Sequence, residues 1–287
     1  MKICVTGASG KAGQAVVAEL VAHGYKVHAT DLARPALDSP ADGYEVMFTQ
    51  ADLTDYGQAA EVLAGMDAVV HLANIPAPGL RPPAVTFNEN ITMNYNVFSA
   101  AAVTAGLNRV VWASSETTLG LPFDTPPRYA PVDEDHYPVP TSTYALSKVA
   151  SETIAGHIAE WSGIPFVALR FSNIMDPEWY QEYPQHQDDA TKRKWNLWGY
   201  IDQRDVAQAC RKALEVDAGK IQGSPAFIIA AADTVMNRPS AELLAEVYPG
   251  VKLTRDVGEH GTLLAIDRAR EVLGFNPEHS WRDHVQP

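Results

Sequence analysis

The sequence has few cysteines, an excess of acidic over basic residues and no long apolar run. Its two cysteines, Cys4 and Cys210, form no disulfide framework, and neither they nor the histidines show ligand spacing, so we expect no metal. The 22 lysines and arginines against 35 acidic residues give a net charge of −13, which argues against nucleic acid or an anionic membrane surface as partner. Without an apolar span or a leader-like start, we expect a soluble, cytoplasmic protein.

A glycine-rich stretch, Thr6 to Gly13, follows an apolar run at residues 2–5 and leads into a segment with apolar residues at helical spacing. This order predicts a strand, a tight turn and a helix whose first N–H groups can hold a diphosphate. Gly7 allows the sharp turn, Gly10 the close approach of a phosphate, and Gly13 the packing of helix on strand. The spacing Gly-x-x-Gly-x-x-Gly differs from the ordinary dinucleotide fingerprint and by itself also fits a turn without a ligand.

The next segment favours the dinucleotide. Residues 26–30 have a strand pattern, and Asp31 follows at the end where an adenosine ribose presents its hydroxyls. An acid there repels the extra phosphate of NADP, so we expect NAD as cofactor. Arg34, a guanidinium that can accept a phosphate, leaves NADP open.

Strand and helix patterns alternate up to residue 170. We predict further strands at 45–48, 67–73, 109–113 and 166–170, and helices at 56–63, 86–105 and 142–161. This alternation predicts an α/β fold, a doubly wound parallel sheet of the Rossmann type over residues 1–170. We assign residues 171–287 mainly to a small substrate-binding cap, with about 201–232 returning to the sheet through a helix at 203–215 and a strand at 226–230.

Two residue types that suit proton transfer lie on one predicted helix. Tyr144 and Lys148 are four residues apart and hence share a helix face. A cation beside a phenol favours the phenolate, and an oxidised nicotinamide adds positive charge, so we expect the pKa of Tyr144 to be lowered toward working pH. Such a tyrosine can remove a hydroxyl proton while a hydride leaves the same carbon, and Ser115, at the end of a strand, can donate to the substrate oxygen.

Together these motifs resemble the extended short-chain dehydrogenase/reductase family, the NAD-dependent epimerases, dehydratases and dehydrogenases. The matching segments cover nearly the whole chain: Thr6 to Gly13, Asp31, Asp52-Leu53, His71-Leu72-Ala73-Asn74, Ser114-Ser115, Tyr144-x-x-x-Lys148 and Arg170-Phe171-Ser172-Asn173.

The resemblance implies that Tyr144 is the acid/base, Lys148 its electrostatic partner and a ribose ligand, and Ser115 the substrate-oxygen donor. Asn90 falls where the family keeps an active-site Asn that orders a proton-relay water, although Met93 replaces the family glycine three positions later. The implied cofactor contacts are Gly7, Ser9, Gly10, Lys11, Ala12, Gly13, Asp31, Asp52, Leu53, Leu72, Ala73, Asn74, Asn90, Ser114, Tyr144, Lys148, Phe171, Ser172 and Ile174.

Departures from the family pattern narrow the expected reaction. Family dehydratases place Asp-Glu after the catalytic hydroxyl residue, whereas this chain has Glu116-Thr117, so sugar dehydration is not expected. The Tyr-Gly and Gly-Pro-Arg segments usual in nucleotide-sugar epimerases are also replaced, and residues 173–200 are short for a pocket that grips a nucleotide diphosphate. The likeness to the family's uronate dehydrogenases implies an NAD-dependent oxidoreductase that transfers a hydride between nicotinamide and a hydroxyl or carbonyl carbon of a small carbohydrate-like substrate.

We predict substrate contacts at Ser115, Glu116, Thr117, Asn173, Arg193 and Trp198. Arg193 lies in a basic stretch, 191–195, that suits a substrate carboxylate or phosphate, although charged runs of this kind more often form a solvated loop. Trp198 belongs to an aromatic cluster that suits either a sugar face or core packing. Two alternatives stay open, a nucleotide-sugar epimerase and a non-catalytic dinucleotide sensor, and the resemblance allows a homodimer through the helices at 86–105 and 142–161.

Overall fold

The computed structural model of the chain describes residues 1–34 and 46–285. The elements in chain order are β1 (Lys2–Thr6), α1 (Lys11–Ala22), β2 (Lys26–Asp31), β3 (Met47–Gln50), α2 (Tyr56–Leu63), β4 (Ala68–His71), α3 (Pro83–Val103), β5 (Arg109–Ser115), β6 (Tyr129–Ala130), α4 (Thr143–Ser162), β7 (Phe166–Phe171), β8 (Ile174–Met175), β9 (Ile201–Asp202), α5 (Gln203–Glu215), β10 (Ala226–Ile229), α6 (Ser240–Val247) and β11 (Lys252–Leu253).

Seven strands form one parallel sheet in the order β10-β7-β5-β4-β1-β2-β3, which confirms the predicted doubly wound fold. The chain builds outward from β1 to β3 and then continues on the other side of β1 with β4. Thr6 at the end of β1 is level with Thr30 on one neighbour and His71 on the other. The connections diverge at this point, which leaves a crevice beyond the carboxyl ends of the strands.

Helices cover both faces of the sheet because the strands are apolar on both sides. On one face α1 and α5 pack with residues such as Leu20, Val206 and the free cysteine Cys210. On the other face α2, α3 and α4 pack around Phe98 and Ile158. The segment after β9 thus returns to the sheet, with α5 against α1 and β10 beside β7.

Local signals fix the helix ends. Asp55 caps α2 by accepting a hydrogen bond from Gln58 N at 2.9 Å, and Ser142 caps α4 by accepting one from Ala145 N at 3.1 Å. Gly163, at φ 70°, ends α4 in the left-handed conformation that glycine adopts without strain. The Ser142 cap sets the start of α4, which places Tyr144 in the first turn of the helix and Lys148 in the second.

The rest of the chain after β7 forms a second apolar core above the sheet edge. Two short parallel strand pairs, β8 with β9 and β6 with β11, frame it. Its large side chains include Tyr180, Tyr183, Trp198, Tyr200 and Trp281. These residues form the interior of a cap that lies beside the crevice.

Several predicted boundaries shift. The strand predicted at 45–48 is Met47–Gln50, and Glu45 lies outside the described residues. After β11 the chain forms a π-helical turn at Ala269–Leu273 and a 3-10 turn at Trp281–Asp283. Across residues 1–34 and 46–285, none of the helices is both long and apolar enough to cross a lipid bilayer.

Candidate active site

A cleft of about 1260 Å³ lies at the carboxyl ends of β1, β2, β4, β5 and β7. The predicted site residues that line it are Gly7, Ser9, Gly10, Lys11, Ala12, Gly13, Asp31, Asp52, Leu53, Leu72, Ala73, Asn74, Ser114, Ser115, Glu116, Thr117, Tyr144, Lys148, Phe171, Ser172, Asn173 and Ile174. Asn90, Arg193 and Trp198 do not line it. Within the part of the chain that the structure describes, no cluster of acidic, His or Cys side chains is arranged to hold a metal.

The glycine turn is too tight for side chains. A Cβ at Gly7, where φ is 68°, would lie 2.6 Å from Ala73 N, and one at Gly13 would lie 2.1 Å from Gly7 O. The first intrahelical bond of α1 runs from Gln14 N to Gly10 O, at 2.9 Å. The N–H groups of the three preceding residues therefore have no intrahelical acceptor and are free for an anion in the cleft.

Asp31 is held at the far end of this turn. One carboxylate oxygen accepts from Ser9 N at 2.9 Å and the other from Leu32 N at 2.7 Å. Each oxygen keeps a lone pair for a ribose hydroxyl. The Arg34 guanidinium lies 5.9 Å from the centre of the Phe48 ring and does not line the cleft.

Tyr144 and Ser115 meet at the other end of the cleft. The Ser115 hydroxyl is close enough to Tyr144 to affect its pKa, and Ser115 Oγ accepts from Thr117 N at 3.2 Å and from Thr117 Oγ1 at 3.0 Å. Burial, with the charge of Glu116, raises the pKa of Tyr144 to about 12, and the nearby Ser115 hydroxyl offsets this only in part. The predicted lowering of this pKa includes the positive charge of an oxidised nicotinamide, so it stays a prediction for the protein with NAD bound.

The burial of Lys148 explains why the pKa of Tyr144 is not lowered in the protein alone. Its side chain is 1% exposed, and Nζ donates to Ala113 O at 2.7 Å and to Asn74 Oδ1 at 2.9 Å. Burial lowers the pKa of Lys148 to about 7, and the charge of Glu152 opposes this only weakly. Nζ is 5.6 Å from the centre of the Tyr144 ring, so a half-ionised lysine at this distance cannot outweigh the burial of the phenol.

A buried hydrogen-bond network that the sequence did not reveal orients Lys148. Asn74 Nδ2 donates to Asn94 Oδ1 at 2.8 Å, and His71 Nε2 lies 2.9 Å from the same oxygen. Because an amide oxygen only accepts, Nε2 carries the proton and Nδ1 accepts from Thr6 Oγ1, 2.7 Å away. Burial lowers the pKa of His71 to about 3, so the ring is neutral. A histidine in an apolar strand and an asparagine in an apolar helix were the available signals.

The cap supplies fewer substrate contacts than predicted. Trp198 is fully buried in the cap core, where Nε1 donates to Ala190 O at 2.9 Å. Arg193 turns inward, donates from Nη2 to Gly199 O at 3.0 Å, and lies over the Tyr183 and Trp195 rings. Trp195 lines the cleft instead of Trp198.

Asn90 also has a different position from the expected one. Its side chain is fully buried and bonds both backbone groups of Ile75, with Oδ1 accepting from Ile75 N at 2.8 Å and Nδ2 donating to Ile75 O at 3.1 Å. Both side-chain groups are thus committed to the loop that follows β4. Asn90 positions that loop and does not line the cleft.

The comparisons with known proteins agree with this geometry. A family model described as the NAD dependent epimerase/dehydratase family matches residues 3–224. The chain belongs to this family. A UDP-glucose 4-epimerase of Lacticaseibacillus casei is 27% identical over 325 aligned positions, covering 99% of this chain and 94% of the relative. An NAD-dependent glucose-6-phosphate dehydrogenase of Haloferax volcanii is 30% identical over 287 positions, covering 96% and 92%. The solved structure of a mutated uronate dehydrogenase shares the fold, with a TM-score of 0.69 and 20% identity over 99% of this chain and 85% of that one.

The protein is therefore an NAD-dependent enzyme of the extended short-chain dehydrogenase/reductase class. The cleft fits NAD, because the glycine turn leaves room for a diphosphate and Asp31 stands where a 2′-phosphate would be repelled. Asp52 and Leu53 line the same end, while Phe171, Ser172 and Ile174 line the opposite wall.

Part of the cleft of this family member had no sequence signal. The loop after β4 and the start of α3 contribute Ile75, Pro76, Ala77, Pro78, Arg81, Glu89 and Met93. The proline-rich segment before α4 contributes Leu121, Pro122, Thr141 and Ser142. Loops carry no periodicity, so their approach to the cleft is visible only once the strand ends have been placed.

Proposed function

We propose that the chain is an NAD-dependent dehydrogenase that interconverts a hydroxyl and a carbonyl group on a small carbohydrate-like substrate. The observation that carries this proposal is the meeting of Ser115, Tyr144 and Lys148 at one end of the cleft. A phenol close to a serine hydroxyl, with an ammonium group beside it, suits proton transfer at a substrate oxygen.

The protein's own groups would act as follows. Ser115 orients the substrate oxygen, and Tyr144 takes its proton when the alcohol is oxidised or returns one when the carbonyl is reduced. Lys148, held by Asn74 and Ala113, supplies positive charge beside the phenol. NAD, when bound, accepts or gives up the hydride. Its diphosphate would lie at the glycine turn and its adenosine ribose at Asp31, with Tyr144 and Lys148 at the nicotinamide ribose.

The alignments support a dehydrogenase over a nucleotide-sugar epimerase. The alignment to the Lacticaseibacillus epimerase runs over 325 positions, more than the 287 residues of this chain, so that relative carries insertions. The Haloferax dehydrogenase aligns over 287 positions with few insertions. A shorter chain favours a substrate smaller than a nucleotide sugar, and the epimerase relatives keep epimerisation as the second candidate.

The test is the reduced-nicotinamide absorbance of purified protein offered NAD and a panel of free sugars, sugar phosphates, uronates, polyols and nucleotide sugars. Net NADH with a free sugar or sugar derivative supports the proposal. A new sugar by chromatography without net NADH would instead establish the epimerase. Tight NAD binding with no turnover of any panel member would favour a dinucleotide sensor.

The substitution Tyr144→Phe tests the proposed role of the phenol. The substitution removes one oxygen from a buried ring and leaves the packing of α4 in place. We expect turnover to fall by at least about a hundredfold, a common size for loss of a general acid/base, with NAD affinity nearly unchanged. Turnover within a few-fold of the wild type would refute the role of Tyr144.

A further inference from the structure

Glu116 is a buried carboxyl group at the substrate end of the cleft that the mechanism above does not use. It follows Ser115 directly, begins the short 3-10 turn Glu116–Leu119 and is 3% exposed. It lines the cleft together with Thr117 and Asn173. A carboxyl group at this position would contact the substrate groups next to the reacting carbon.

The carboxyl group is poorly satisfied by the protein. Oε1 accepts one long hydrogen bond, 3.4 Å from Asn196 Nδ2. In residues 1–34 and 46–285, Oε2 and the nearby Ser172 Oγ have no hydrogen bond of good geometry, although the Ser172 side chain and the Asn173 backbone are close enough to Glu116 to lower its pKa in part. Buried polar atoms normally find partners, and Glu116 and Ser172 both line the cleft, so a ligand in the cleft can supply the missing hydrogen bonds.

The charge around Glu116 limits what those outside groups can be. The Arg193 guanidinium is close enough to interact with the carboxylate but is anchored on Gly199 O and stacked over Tyr183 and Trp195. It therefore balances the charge of Glu116 without occupying Oε2. A substrate carboxylate would be repelled by Glu116 and a substrate ammonium by Arg193. Neutral hydroxyl groups can donate hydrogen bonds to the carboxylate without electrostatic repulsion from either residue.

We propose that Glu116 determines specificity by accepting hydrogen bonds from hydroxyl groups of an uncharged sugar ring, so that the enzyme selects a neutral polyhydroxy sugar over the corresponding uronate. This inference rests on the proposed carbohydrate substrate and narrows it to a neutral sugar, unlike the substrate of the uronate dehydrogenases that the chain resembles. It concerns the ring alone and holds whether the ring carries a phosphate or nucleotide tail.

The test is a binding measurement on the Tyr144→Phe protein with NAD present, which needs no turnover. Matched pairs differ only in CH₂OH against CO₂⁻: glucose and glucuronate, galactose and galacturonate, UDP-glucose and UDP-glucuronate. Burial raises the pKa of Glu116 to about 7, so titrations above that pH keep the carboxylate ionised. We expect the neutral member of the binding pair to be favoured by at least about tenfold, the usual effect of a nearby like charge.

Glu116→Gln in the same background removes the charge and keeps the shape. We expect it to weaken binding of the neutral sugar and to reduce the preference for the neutral sugar over the uronate to within about threefold. The reason is that an amide does not repel the uronate carboxylate. The control Glu182→Gln makes the same chemical change on an exposed part of the cap and should leave the preference unchanged. If Glu116→Gln fails to fold, Glu116→Asp is the second variant. It withdraws the carboxylate by one methylene and should weaken binding of the neutral sugar without changing binding of the uronate.

The outcomes separate this inference from the proposed function. A neutral sugar that binds but yields no NADH with the wild type overturns the dehydrogenase and leaves the role of Glu116 standing. Oxidation of a uronate in preference to its neutral partner supports the dehydrogenase and overturns the inference. Equal or absent binding of both members, or a preference that Glu116→Gln does not change, also overturns it.

Discussion

Replacing Lys148 by Met should stabilise the cofactor-free protein while abolishing turnover. The pKa of Lys148 falls from 10.5 to about 7 because the ammonium is buried, and Nζ has only neutral acceptors in Asn74 and Ala113. At about 1.4 kcal/mol per unit, burial of the charge costs roughly 4 kcal/mol at pH 7. Loss of two hydrogen bonds from a charged donor, at about 1.5 kcal/mol each, returns about 3 kcal/mol of that, so the variant should gain about 1 kcal/mol. For a chain of this size that corresponds to about 2 °C in Tm.

The pH dependence of the stability difference between the two proteins shows whether the buried charge of Lys148 causes it. Between about pH 7 and 10.5 the unfolded lysine holds a proton that the folded one has released. The wild-type free energy of unfolding should therefore rise with pH by about 1.4 kcal/mol per unit from this group, a slope that Lys148→Met lacks. The advantage of the variant is constant below pH 7, shrinks above it and vanishes at about pH 8.

Equilibrium chemical denaturation without NAD measures this difference, since bound cofactor would add its own stabilisation. Every other titrating group is common to the two proteins, so the difference between their curves isolates Lys148. Lys192→Met is the control, because Lys192 is exposed and its removal should give a small, pH-independent change. A Lys148→Met protein that is less stable than wild type at pH 7, or a difference that does not vary with pH, would refute the reasoning.

Three further predictions concern the cofactor turn, the ion pair across it and the outer helices. Lys11 Nζ lies 2.7 Å from Asp176 Oδ2, and as a partly exposed pair it should slow NAD release by about two- to fivefold. Stopped-flow release should quicken equally in Lys11→Met and Asp176→Asn, whereas slower release from Asp176→Asn would mean that Lys11 binds the diphosphate directly. Gly13→Ala should destabilise the protein by about 1 to 3 kcal/mol and weaken NAD binding by calorimetry, because its Cβ would collide with the turn. Gly156→Ala in α4, where a Cβ has open space, is the matched control and should be neutral or stabilising. We propose a homodimer through α3 and α4, where Trp161 is 77% exposed; Trp161→Glu should shift sedimentation toward monomer, and a monomeric wild type at micromolar concentration would contradict the dimer.

The features that the sequence predicted well are those set by short stretches of chain. The turn from Gly7 to Gly13 depends on steric limits that only glycine satisfies, so its glycines are readable without a structure. Asp31 follows from its place at a strand end, and Tyr144 with Lys148 follows from helical spacing. Because parallel strands bring their carboxyl ends to one edge, these separate motifs had to meet in one cleft.

The cap could not be predicted in the same way. Arg193, Leu197 and Trp198 all have positive φ, a conformation that no periodic pattern signals and that reverses the direction of a side chain. Trp198 therefore enters the core and Trp195 the cleft, although both belong to the same aromatic segment. Burial depth was equally hidden, because the spacing of Tyr144 and Lys148 does not reveal that solvent is excluded from both.

Among the residues that the structure describes, Lys148 has no carboxylate as a direct partner, and this has a physical reason. The nearest acid that influences it, Glu152, is already matched by Arg170, with hydrogen bonds of 2.9 and 2.8 Å, and accepts from Ser114 Oγ at 2.6 Å. A carboxylate bonded directly to Nζ would keep the lysine ionised but would also cancel its field at Tyr144, 5.6 Å away. Neutral acceptors orient the ammonium without cancelling that field. Burial with neutral acceptors makes Lys148 costly to ionise, but it leaves the positive charge of the ionised lysine free to stabilise the phenolate of Tyr144.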